Sequence, residues 1–337
     1  MADPLITIII TQRDRFCFTQ ENLETIFKNT DLPFELIYVD GGSPSHIREY
    51  LLKQSQEKKF KLIRIEHYLT PNQARNQAVQ HIHTPFAAFV ENDVSVSKGW
   101  LTYLMNCCQE TGCALVCPLT CQDKPIHENI HYSGGDMEIK EENKDGSVNR
   151  FIHETMYHRQ GSKHFEIKPP LQRGKVGYTE VHAFFIRTEY LKKINGFDEG
   201  IMSTRDHVDV SLNVRKAGGE IYFEPKAIIT FMGHFTAPPL EAWEEEFYKL
   251  RWSNAWEYNS LRHLSQKWGL TENNYFLNRY SRLGWRRRSF VIKPKIKHIR
   301  PRVLRRLVEE VLVIVDRIEN NKLAGDFAKK YGPGSKS

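Results

Sequence analysis

The chain has 337 residues, the length of about two domains or of one large α/β domain with additions, and its formal net charge is +7. Hydrophobic residues make up 40% of the sequence, which supplies a substantial core and excludes a mostly disordered chain. The sequence lacks an uncharged apolar run of the ~18 residues that span a bilayer, and it lacks the basic and apolar regions of a signal peptide, so we expect a cytoplasmic protein.

The first 120 residues alternate between strand and helix patterns. Apolar runs rich in β-branched residues predict buried strands at 5–10, 34–39, 62–65, 86–90 and 114–116. Between them, helical patterns occupy 21–29, 45–58, a stretch that opens with Thr70 as N-cap and Pro71 as first residue, and 98–110. This alternation predicts an α/β fold with a Rossmann-like, mostly parallel open sheet flanked by helices.

The later part of the chain divides into an insertion, a second α/β half and a helical end. Residues 122–179 are polar and predict an inserted, partly mobile region over one sheet face, with Asp145-Gly146 as a hairpin turn. Strand and helix patterns return at 180–187, 188–194, 206–217 and 220–223. Helices are predicted at 241–264 and, with an apolar stripe, at 301–323. We therefore predict regions at 1–121, 122–240 and 241–337.

Two acidic residues directly follow the predicted strand at 86–90. Glu91 and Asp93 are two positions apart, so in an extended segment their side chains point to the same side. They stand at the carboxyl end of a strand, where open α/β sheets bind ligands. Their hard oxygen atoms suit Mg²⁺ or Mn²⁺ shared with a substrate diphosphate. The alternative is that both residues only solvate the strand end and cap the next helix.

Two further positions are candidates for ligand binding. Asp40 ends the second strand before Gly41-Gly42, and it either accepts hydrogen bonds from a base or sugar or belongs to a simple turn. Arg75 is early in the third helix, where it either binds an anion with the helix dipole or lies exposed at the surface. A dinucleotide-binding glycine motif and a P-loop are absent from the sequence, which argues against a nicotinamide dehydrogenase and a P-loop NTPase.

A second acidic group begins the predicted helix at 206–217. Asp206 and Asp209 fit an N-cap and its partner three residues on, and one of them also fits a general base that a helix start positions. His234 follows a strand-like run at 227–231 and is either a metal ligand or a structural histidine.

Together these residues resemble family 2 glycosyltransferases of the GT-A fold over roughly residues 4 to 235. Five features occur in the family's order: 5–15, Tyr38–Ser43, Ala74–Asn76, Phe89–Asp93 with Gly99–Leu101, and Gly196–Glu199 continuing to Gly218.

The resemblance implies an inverting, metal-dependent transfer of a sugar from a UDP- or GDP-sugar to a hydroxyl of a saccharide or lipid-linked acceptor, in polysaccharide, glycan or glycolipid synthesis. Region 1–121 would bind the donor and 122–240 the acceptor. The implied donor-binding residues are Thr11, Arg13, Asp40, Arg75 and Asn92. The implied ligands of Mn²⁺ or Mg²⁺ are Glu91, Asp93 and His234. The alternative is a catalytically inactive GT-A-like protein that binds a nucleotide or a glycan.

The sequence departs from the family at the catalytic base. The family commonly has Glu-Asp-x-Asp with the first Asp as base, whereas this chain reads Asp206-His207-Val208-Asp209. Strict alignment places His207 at the base position, and a shift of one residue places Asp206 there. We predict Asp206 because the family uses a carboxylate, with His207 and Asp209 as alternatives.

The positive charge is concentrated in residues 279–308, which contain twelve Lys or Arg and no Asp or Glu and leave the remainder at −5. One interpretation is an anionic membrane surface, with ~1 kcal/mol for each basic residue near it. Nucleic acid is less favoured. The third is a solvated or homodimer-forming tail whose apolar stripe packs on the body. We predict packing of the stripe together with weak peripheral attraction to the inner face of a membrane.

Overall fold

The computed structural model describes residues 3–144, 146–233 and 236–332. Two positions singled out in the sequence, Asp145 and His234, lie outside the described residues.

The strands and helices alternate along the first part of the chain as predicted. The strands are β1 Ile6–Thr11, β2 Phe34–Gly41, β3 Lys61–Ile65, β4 Phe86–Glu91, β5 Val94–Val96, β6 Leu115–Gln122, β7 Ile130–Tyr132, β8 Gly135–Lys144, β9 Ser147–Met156, β10 Gly174–Val176, β11 Ala183–Arg187 and β12 Ile221–Phe231. The helices are α1 Thr19–Asn29, α2 Ser45–Lys58, α3 Pro71–Val79, α4 Trp100–Thr111, α5 Thr188–Lys193, α6 Asp206–Lys216, α7 Ala242–Arg251, α8 Asn254–Trp268, α9 Asn274–Tyr280, α10 Trp285–Arg287, α11 Lys293–Ile296 and α12 Arg302–Tyr331.

The central sheet has the order β10-β12-β6-β11-β4-β1-β2-β3, with β5 paired to β12 and β7 to β6. Strands β4, β1, β2 and β3 run parallel, and β11 joins antiparallel to β4. Every residue of β1 and of β4 is buried, as expected for central strands that helices cover on both faces. The predicted mostly parallel α/β sheet is therefore confirmed.

Local sequence signals explain several boundaries. Thr70 caps α3 with a capping box, in which its side chain accepts from the Gln73 N–H, and Pro71 begins the helix. Gly99 adopts φ +73° and precedes α4, so the helix begins at Trp100 rather than at residue 98.

The stretch predicted as helical over 241–264 is helical, but the chain breaks within it and forms two helices, α7 and α8. Ser253 caps the start of α8 by accepting from the Trp256 N–H.

The insertion contains a separate two-stranded sheet of β8 and β9. The predicted hairpin turn is Asp145-Gly146, and Asp145 lies outside the described residues. Gly146 has φ +77°, a backbone conformation that suits a hairpin turn.

The chain divides into two compact units. The first comprises residues up to Lys140, Ile152–Glu199 and Asp206–Ala237, and it contains the central sheet. A large apolar cluster forms the core of this unit, with Trp100, Phe185 and Ile8 among its fully buried members.

The second unit comprises Glu141–Phe151, Gly200–Arg205 and the residues from Pro238 onward. Within it, α12 packs through a polar face, where Asp316 and Asn320 are buried and Arg287 Nε donates to Asp316 Oδ2 at 2.9 Å. The expectation that the apolar stripe of this helix packs on the body is wrong, since Leu307 and Val311 are 63% and 60% exposed. In the part of the chain that the structure describes, no helix has the length and apolar character needed to cross a membrane.

Candidate active site

The parallel strands bring the predicted ligand-binding residues to one edge of the sheet. Thr11 is the last residue of β1. It pairs with Val39 of β2 on one side and with Glu91 of β4 on the other. Asp40 follows Val39, so the ends of three strands carry polar side chains next to one another. This is the carboxyl edge at which open α/β sheets bind ligands.

Asp40 is the centre of a buried hydrogen-bond network. Its Oδ1 accepts from Gln12 Nε2 at 2.6 Å, and its Oδ2 accepts from Ser43 Oγ at 2.8 Å and from Arg64 Nη1 at 2.5 Å. Gln12 also accepts from the Gly41 N–H at 2.7 Å. The carboxylate is thus held in one orientation by three side chains.

The backbone beside Asp40 requires glycine. Gly42 has φ +71°, and a Cβ there would lie 2.9 Å from the carbonyl carbon of His67. Only glycine satisfies both the left-handed conformation and this close approach.

An arginine lies among the predicted metal ligands. Arg13 Nη1 contacts Asp93 Oδ2 at 2.9 Å and Asp14 Oδ2 at 3.4 Å, and Arg13 Nε contacts Glu91 Oε2 at 3.1 Å. All three carboxylates are buried. Burial raises the pKa of both Glu91 and Asp93, and Arg13 opposes the rise by favouring the ionised forms.

A second arginine joins this cluster to the start of α6. Arg75 Nη1 contacts Asp206 Oδ2 at 2.8 Å, and Arg75 Nη2 contacts Glu91 Oε1 at 3.3 Å. Arg75 is 1% exposed, which rules out the alternative of a surface arginine. The two arginines therefore link Asp93, Glu91 and Asp206 into one continuous charged network.

The acidic cluster has the donor atoms of a divalent-cation site. Glu91, Asp93 and His182 each offer a ligand atom, and these atoms lie within 4.8 Å of one another. Asp93 Oδ1 is buried and has no hydrogen-bond partner within 3–144, 146–233 and 236–332. Burial lowers the pKa of His182 well below its usual range, so the ring is neutral and has a lone pair for a metal. The two carboxylates suit Mn²⁺ or Mg²⁺, and the imidazole is a further ligand of the kind that transition metals prefer.

His182 is a residue that the sequence argument missed, and it belongs to a wider histidine cluster. Its Nδ1 is 2.7 Å from Glu91 Oε2, and its ring stacks on Phe231 with centroids 4.0 Å apart. His131 and Glu180 form a second group of possible ligand atoms with it. Burial lowers the pKa of His131 to about 3, which keeps that ring neutral as well. The available signal was a histidine inside an apolar run that reads Val-His-Ala-Phe-Phe.

Gln12 and Arg64 were also missed. Gln12 directly follows Thr11, and Arg64 interrupts the apolar pattern of β3. The parallel pairing of β2 with β3 places Arg64 directly opposite Asp40. The sequence feature that could have identified Arg64 is therefore a charged residue within an otherwise apolar strand next to the strand of Asp40.

The three candidates for the base have different surroundings, although all are buried. Asp206 contacts Arg75 and therefore joins the network that includes Glu91. His207 Nε2 is 3.6 Å from Glu154 Oε1, and Asp209 Oδ2 accepts from Asn213 Nδ2 at 2.9 Å. Of the three, the structure brings Asp206 into the ion-pair network of the acidic cluster.

Asn92 fixes the loop that carries the acidic cluster. Its Oδ1 accepts from the Arg13 N–H at 3.1 Å, and its Nδ2 donates to the Arg15 carbonyl at 2.7 Å. Asn92 is fully buried, so these contacts show it holding the segment after β1 against the segment after β4.

Three comparisons with known proteins show what this chain is similar to. The family model described as Glycosyl transferase family 2 matches residues 7–193. The chain is 27% identical over 169 residues to the pre-mycofactocin glycosyltransferase of Mycobacterium tuberculosis. The aligned region covers 48% of this chain and 30% of that protein. The match therefore spans about a third of the length of that relative.

Among solved structures, the chain is similar to the crystal structure of GalNAc-T7 with UDP, GalNAc and Mn²⁺. The TM-score is 0.52 at 14% identity, and the match covers 88% of this chain and 58% of that chain. A similarity with so low a sequence identity shows that the two proteins share a fold and nothing more. The predicted GT-A type of α/β fold with C-terminal helices is thereby confirmed.

Proposed function

This chain belongs to glycosyl transferase family 2, and from that premise we propose that it transfers a sugar from a nucleotide-sugar donor to an acceptor hydroxyl with inversion, assisted by a divalent metal ion. The observation that carries the proposal is the continuous network from Asp93 through Arg13, Glu91 and Arg75 to Asp206 at the carboxyl edge of the sheet. It joins a metal-binding acidic cluster to a carboxylate positioned at a helix start.

Asp40 and the groups around it form the proposed nucleoside end of the donor site. Gln12, Ser43 and Arg64 hold the Asp40 carboxylate in place, so a base or ribose would bind to it by replacing one of these hydrogen-bond partners. Thr11 lies beside Asp40 at the end of β1. The similar structure of GalNAc-T7 contains UDP, so a uridine nucleotide is the first ligand to test.

The proposed cation is Mn²⁺ or Mg²⁺, held by Asp93 and Glu91 with His182, and by His234, which lies outside the described residues. When bound, such an ion neutralises charge that develops on the departing nucleoside diphosphate. Arg75 is buried beside Glu91 and adds a fixed positive charge at this end of the site.

Asp206 is the proposed general base. Arg75 Nη1 contacts Asp206 Oδ2 at 2.8 Å and orients this carboxylate, and a carboxylate can accept a proton from an attacking hydroxyl. His207 and Asp209 remain the alternatives because both are buried in the same helix turn.

The deciding experiment is a screen of UDP- and GDP-sugars with Mn²⁺, in which the release of nucleoside diphosphate is measured with and without saccharide and lipid-linked acceptors. Donor hydrolysis or transfer that is lost in Asp206→Asn supports the proposal. Binding of a nucleotide sugar without any release, across the whole panel, would support an inactive binding protein instead.

We propose further that this protein acts in polysaccharide, glycan or glycolipid synthesis. We also propose that residues 279–308 and the adjoining helix attach it to an anionic membrane surface. Seven large apolar side chains of α12 are exposed: Val303, Leu304, Leu307, Val311, Ile314, Val315 and Ile318. Basic residues surround the beginning of this stripe, including Arg302, Arg305 and Arg306. A helix with an apolar stripe and a basic border is the pattern that lies in the plane of a membrane interface.

A further inference from the structure

We propose that His131, Glu180 and His182 bind a transition-metal ion such as Zn²⁺, at a site distinct from the oxygen-rich cluster of Glu91 and Asp93. Each of the three residues offers one ligand atom, and the three atoms lie within 4.8 Å of one another. All three residues belong to the first unit. We call this group the histidine site, and its existence does not depend on the proposed glycosyl transfer.

Strand pairing brings the three residues together. Strand β12 pairs with β6 along the whole length of β6, so the other two partners of β6 share its opposite edge. On that edge β11 pairs with the beginning of β6, and β7 pairs with its end. His131 is in β7, and Glu180 and His182 come just before β11. The histidine site therefore lies where β7 meets the segment that leads into β11.

Each histidine is held by a hydrogen bond at one ring nitrogen. Burial lowers the pKa of both rings and keeps them neutral, so each ring has one nitrogen with a proton and one with a lone pair. His182 Nδ1 lies 2.7 Å from Glu91 Oε2. His131 Nδ1 lies 3.0 Å from Gln122 Oε1, with Gln160 Nε2 farther away at 3.3 Å. Because the two nearest atoms are oxygens that accept, Nδ1 carries the proton in both rings and Nε2 carries the lone pair. Histidines that bind metal ions are oriented in this way, with the second ring nitrogen donating to an oxygen atom such as that of a carboxylate.

Phe231 fixes the orientation of both rings. It stacks on His182 with centroids 4.0 Å apart, and it meets His131 edge to face with centroids 4.7 Å apart. The centroids of the two imidazole rings are 5.3 Å apart, also in an edge-to-face arrangement. Ligands that are fixed before binding lose little conformational freedom when they coordinate an ion.

Glu180 supplies the negative charge of the site. Its Oε1 lies 3.9 Å from His131 Nε2, and within 3–144, 146–233 and 236–332 no Lys or Arg forms an ion pair with it. The side chains of His131 and Glu180 are 18% and 16% exposed, which leaves an entry path for an ion but withdraws most of the carboxylate from water. Two ligand atoms of a tetrahedral Zn²⁺ lie about 3.4 Å apart, so a closing movement of about 0.5 Å brings this pair into position. An ion bound there would neutralise the carboxylate.

The donor atoms of the histidine site differ from those of the acidic cluster. Two imidazole nitrogens and one carboxylate are a known ligand set of Zn²⁺ in sites that keep a position open for water or a substrate, whereas Mg²⁺ and Mn²⁺ prefer oxygen atoms. His182 belongs to both groups of ligand atoms, and its neutral ring has one lone pair, so it binds one ion at a time. With the lone pair on Nε2 it serves the histidine site, and Glu91 is the acceptor that orients it. His131 and Glu180 belong to the histidine site alone, so they are the residues to replace.

Calorimetric titration with Zn²⁺ in excess Mg²⁺ tests the site, because Mg²⁺ competes for the carboxylates of the acidic cluster but poorly for imidazole nitrogen. We expect the wild type to bind one Zn²⁺ ion. His131→Asn and Glu180→Gln should bind it at least ~100-fold more weakly, since loss of a residue that only supports a metal ligand already costs roughly 10–100-fold. The matched control is His83→Asn, which replaces an exposed histidine that belongs to neither group. Glu180→Gln keeps the shape of a side chain at the surface of the site, so it separates loss of a ligand from loss of folding.

Titration with Co²⁺ gives an independent readout, because its visible absorption is strong in a tetrahedral site with nitrogen ligands and weak in an octahedral site of oxygen ligands. The strong band should appear in the wild type and in Asp93→Asn and be absent from His131→Asn. The proposal is overturned if no Zn²⁺ binds in excess Mg²⁺, or if His131→Asn and Glu180→Gln bind Zn²⁺ as well as the control does. It is also overturned if Asp93→Asn abolishes Zn²⁺ binding while these two variants keep it, which would assign the ion to the acidic cluster. A donor screen without any sugar transfer would leave all of these results unchanged, so failure of the proposed function and failure of the histidine site are distinguishable.

Discussion

Arg13 Nη1 lies 2.9 Å from Asp93 Oδ2, which places a guanidinium group directly against the residue proposed as a metal ligand. The same side chain contacts Glu91 and Asp14, so one monovalent cation lies among three buried carboxylates. A divalent ion at Asp93 and Glu91 would share these carboxylates with Arg13. We therefore predict two roles for this residue, binding the donor's negative charge and stabilising the acidic cluster when no metal is bound.

Arg13→Met should destabilise the protein most strongly in EDTA. The substitution keeps the apolar part of the side chain and removes the guanidinium group that contacts Asp93, Glu91 and Asp14. Breaking a buried ion pair by removing one partner typically costs about 3–5 kcal/mol. Mn²⁺ replaces the lost positive charge, so it should raise the Tm of the variant more than that of the wild type. Thermal unfolding with EDTA and with Mn²⁺ measures both effects. Arg48→Met, at an exposed position of α2, is the control and should behave as the wild type. An equal Mn²⁺ shift in Arg13→Met and wild type would contradict this role.

Asp93→Asn should remove most of the affinity for Mn²⁺. The amide keeps the size of the side chain but loses the charge, and Asp93 has a buried oxygen atom that no described residue contacts by a hydrogen bond. Even loss of a residue that only supports a metal ligand costs 10–100-fold in affinity, so we expect at least ~100-fold here. Calorimetric titration with Mn²⁺ gives the number. Asp31→Asn, whose carboxylate accepts from Thr102 Oγ1 on the surface, is the control. Unchanged Mn²⁺ affinity in Asp93→Asn would exclude it as a ligand.

Asp206→Asn should reduce turnover by about 10²–10⁴-fold, the usual contribution of a general base. The amide oxygen can still accept from Arg75, so donor binding should change little and the effect should fall on kcat. Transfer rates and the Kd of the donor separate the two. Full activity in Asp206→Asn, combined with its loss in His207→Ala or Asp209→Asn, would move the base to one of those residues.

The architecture of the first unit was predictable because buried parallel strands have a plain sequence pattern. The predicted runs that became β1, β2 and β4 are mostly apolar, and each is followed by a polar residue, so Asp40 and Glu91 were recognisable as edge positions. Arg75 was predictable from its place near the start of a capped helix.

What the sequence could not reveal are contacts between distant segments. Whether Arg64 reaches Asp40 depends on the register of β2 against β3, and whether His182 reaches Glu91 depends on the antiparallel addition of β11 to β4. The prediction that the apolar stripe of α12 is buried by packing was wrong for a related reason. Periodicity identifies an apolar face but not what covers it, and here a polar face with Asp316 and Asn320 packs inward instead.

Arg64→Met should weaken donor binding without slowing the chemical step. Arg64 contacts Asp40 at 2.5 Å and also donates to the Ser43 carbonyl at 3.2 Å, so its loss frees the carboxylate proposed to bind the nucleoside. Loss of a charge-assisted hydrogen bond should raise KM for the donor about tenfold. The kcat value should stay near that of the wild type, because Arg64 contacts Asp40, Ser43 and Glu66 and not the proposed base Asp206. Steady-state kinetics with the donor identified in the screen measures this split. Arg48→Met again provides the control, and a fall in kcat with unchanged KM would contradict a role in donor binding.

The exposed stripe of α12 gives the last prediction. Leu307 and Val311 lie one helical turn apart and are 63% and 60% exposed, so replacing both by serine removes apolar surface without opening a cavity in the core. If the stripe lies on a membrane, the double variant should co-sediment less with vesicles that contain phosphatidylglycerol, and high salt should weaken wild-type binding because the basic residues contribute through a screened attraction. Light scattering on the same samples tests the alternative occupant, a second copy of the chain. A wild-type dimer that becomes monomeric in the variant, together with no vesicle binding at low salt, would assign the stripe to self-association instead of a bilayer.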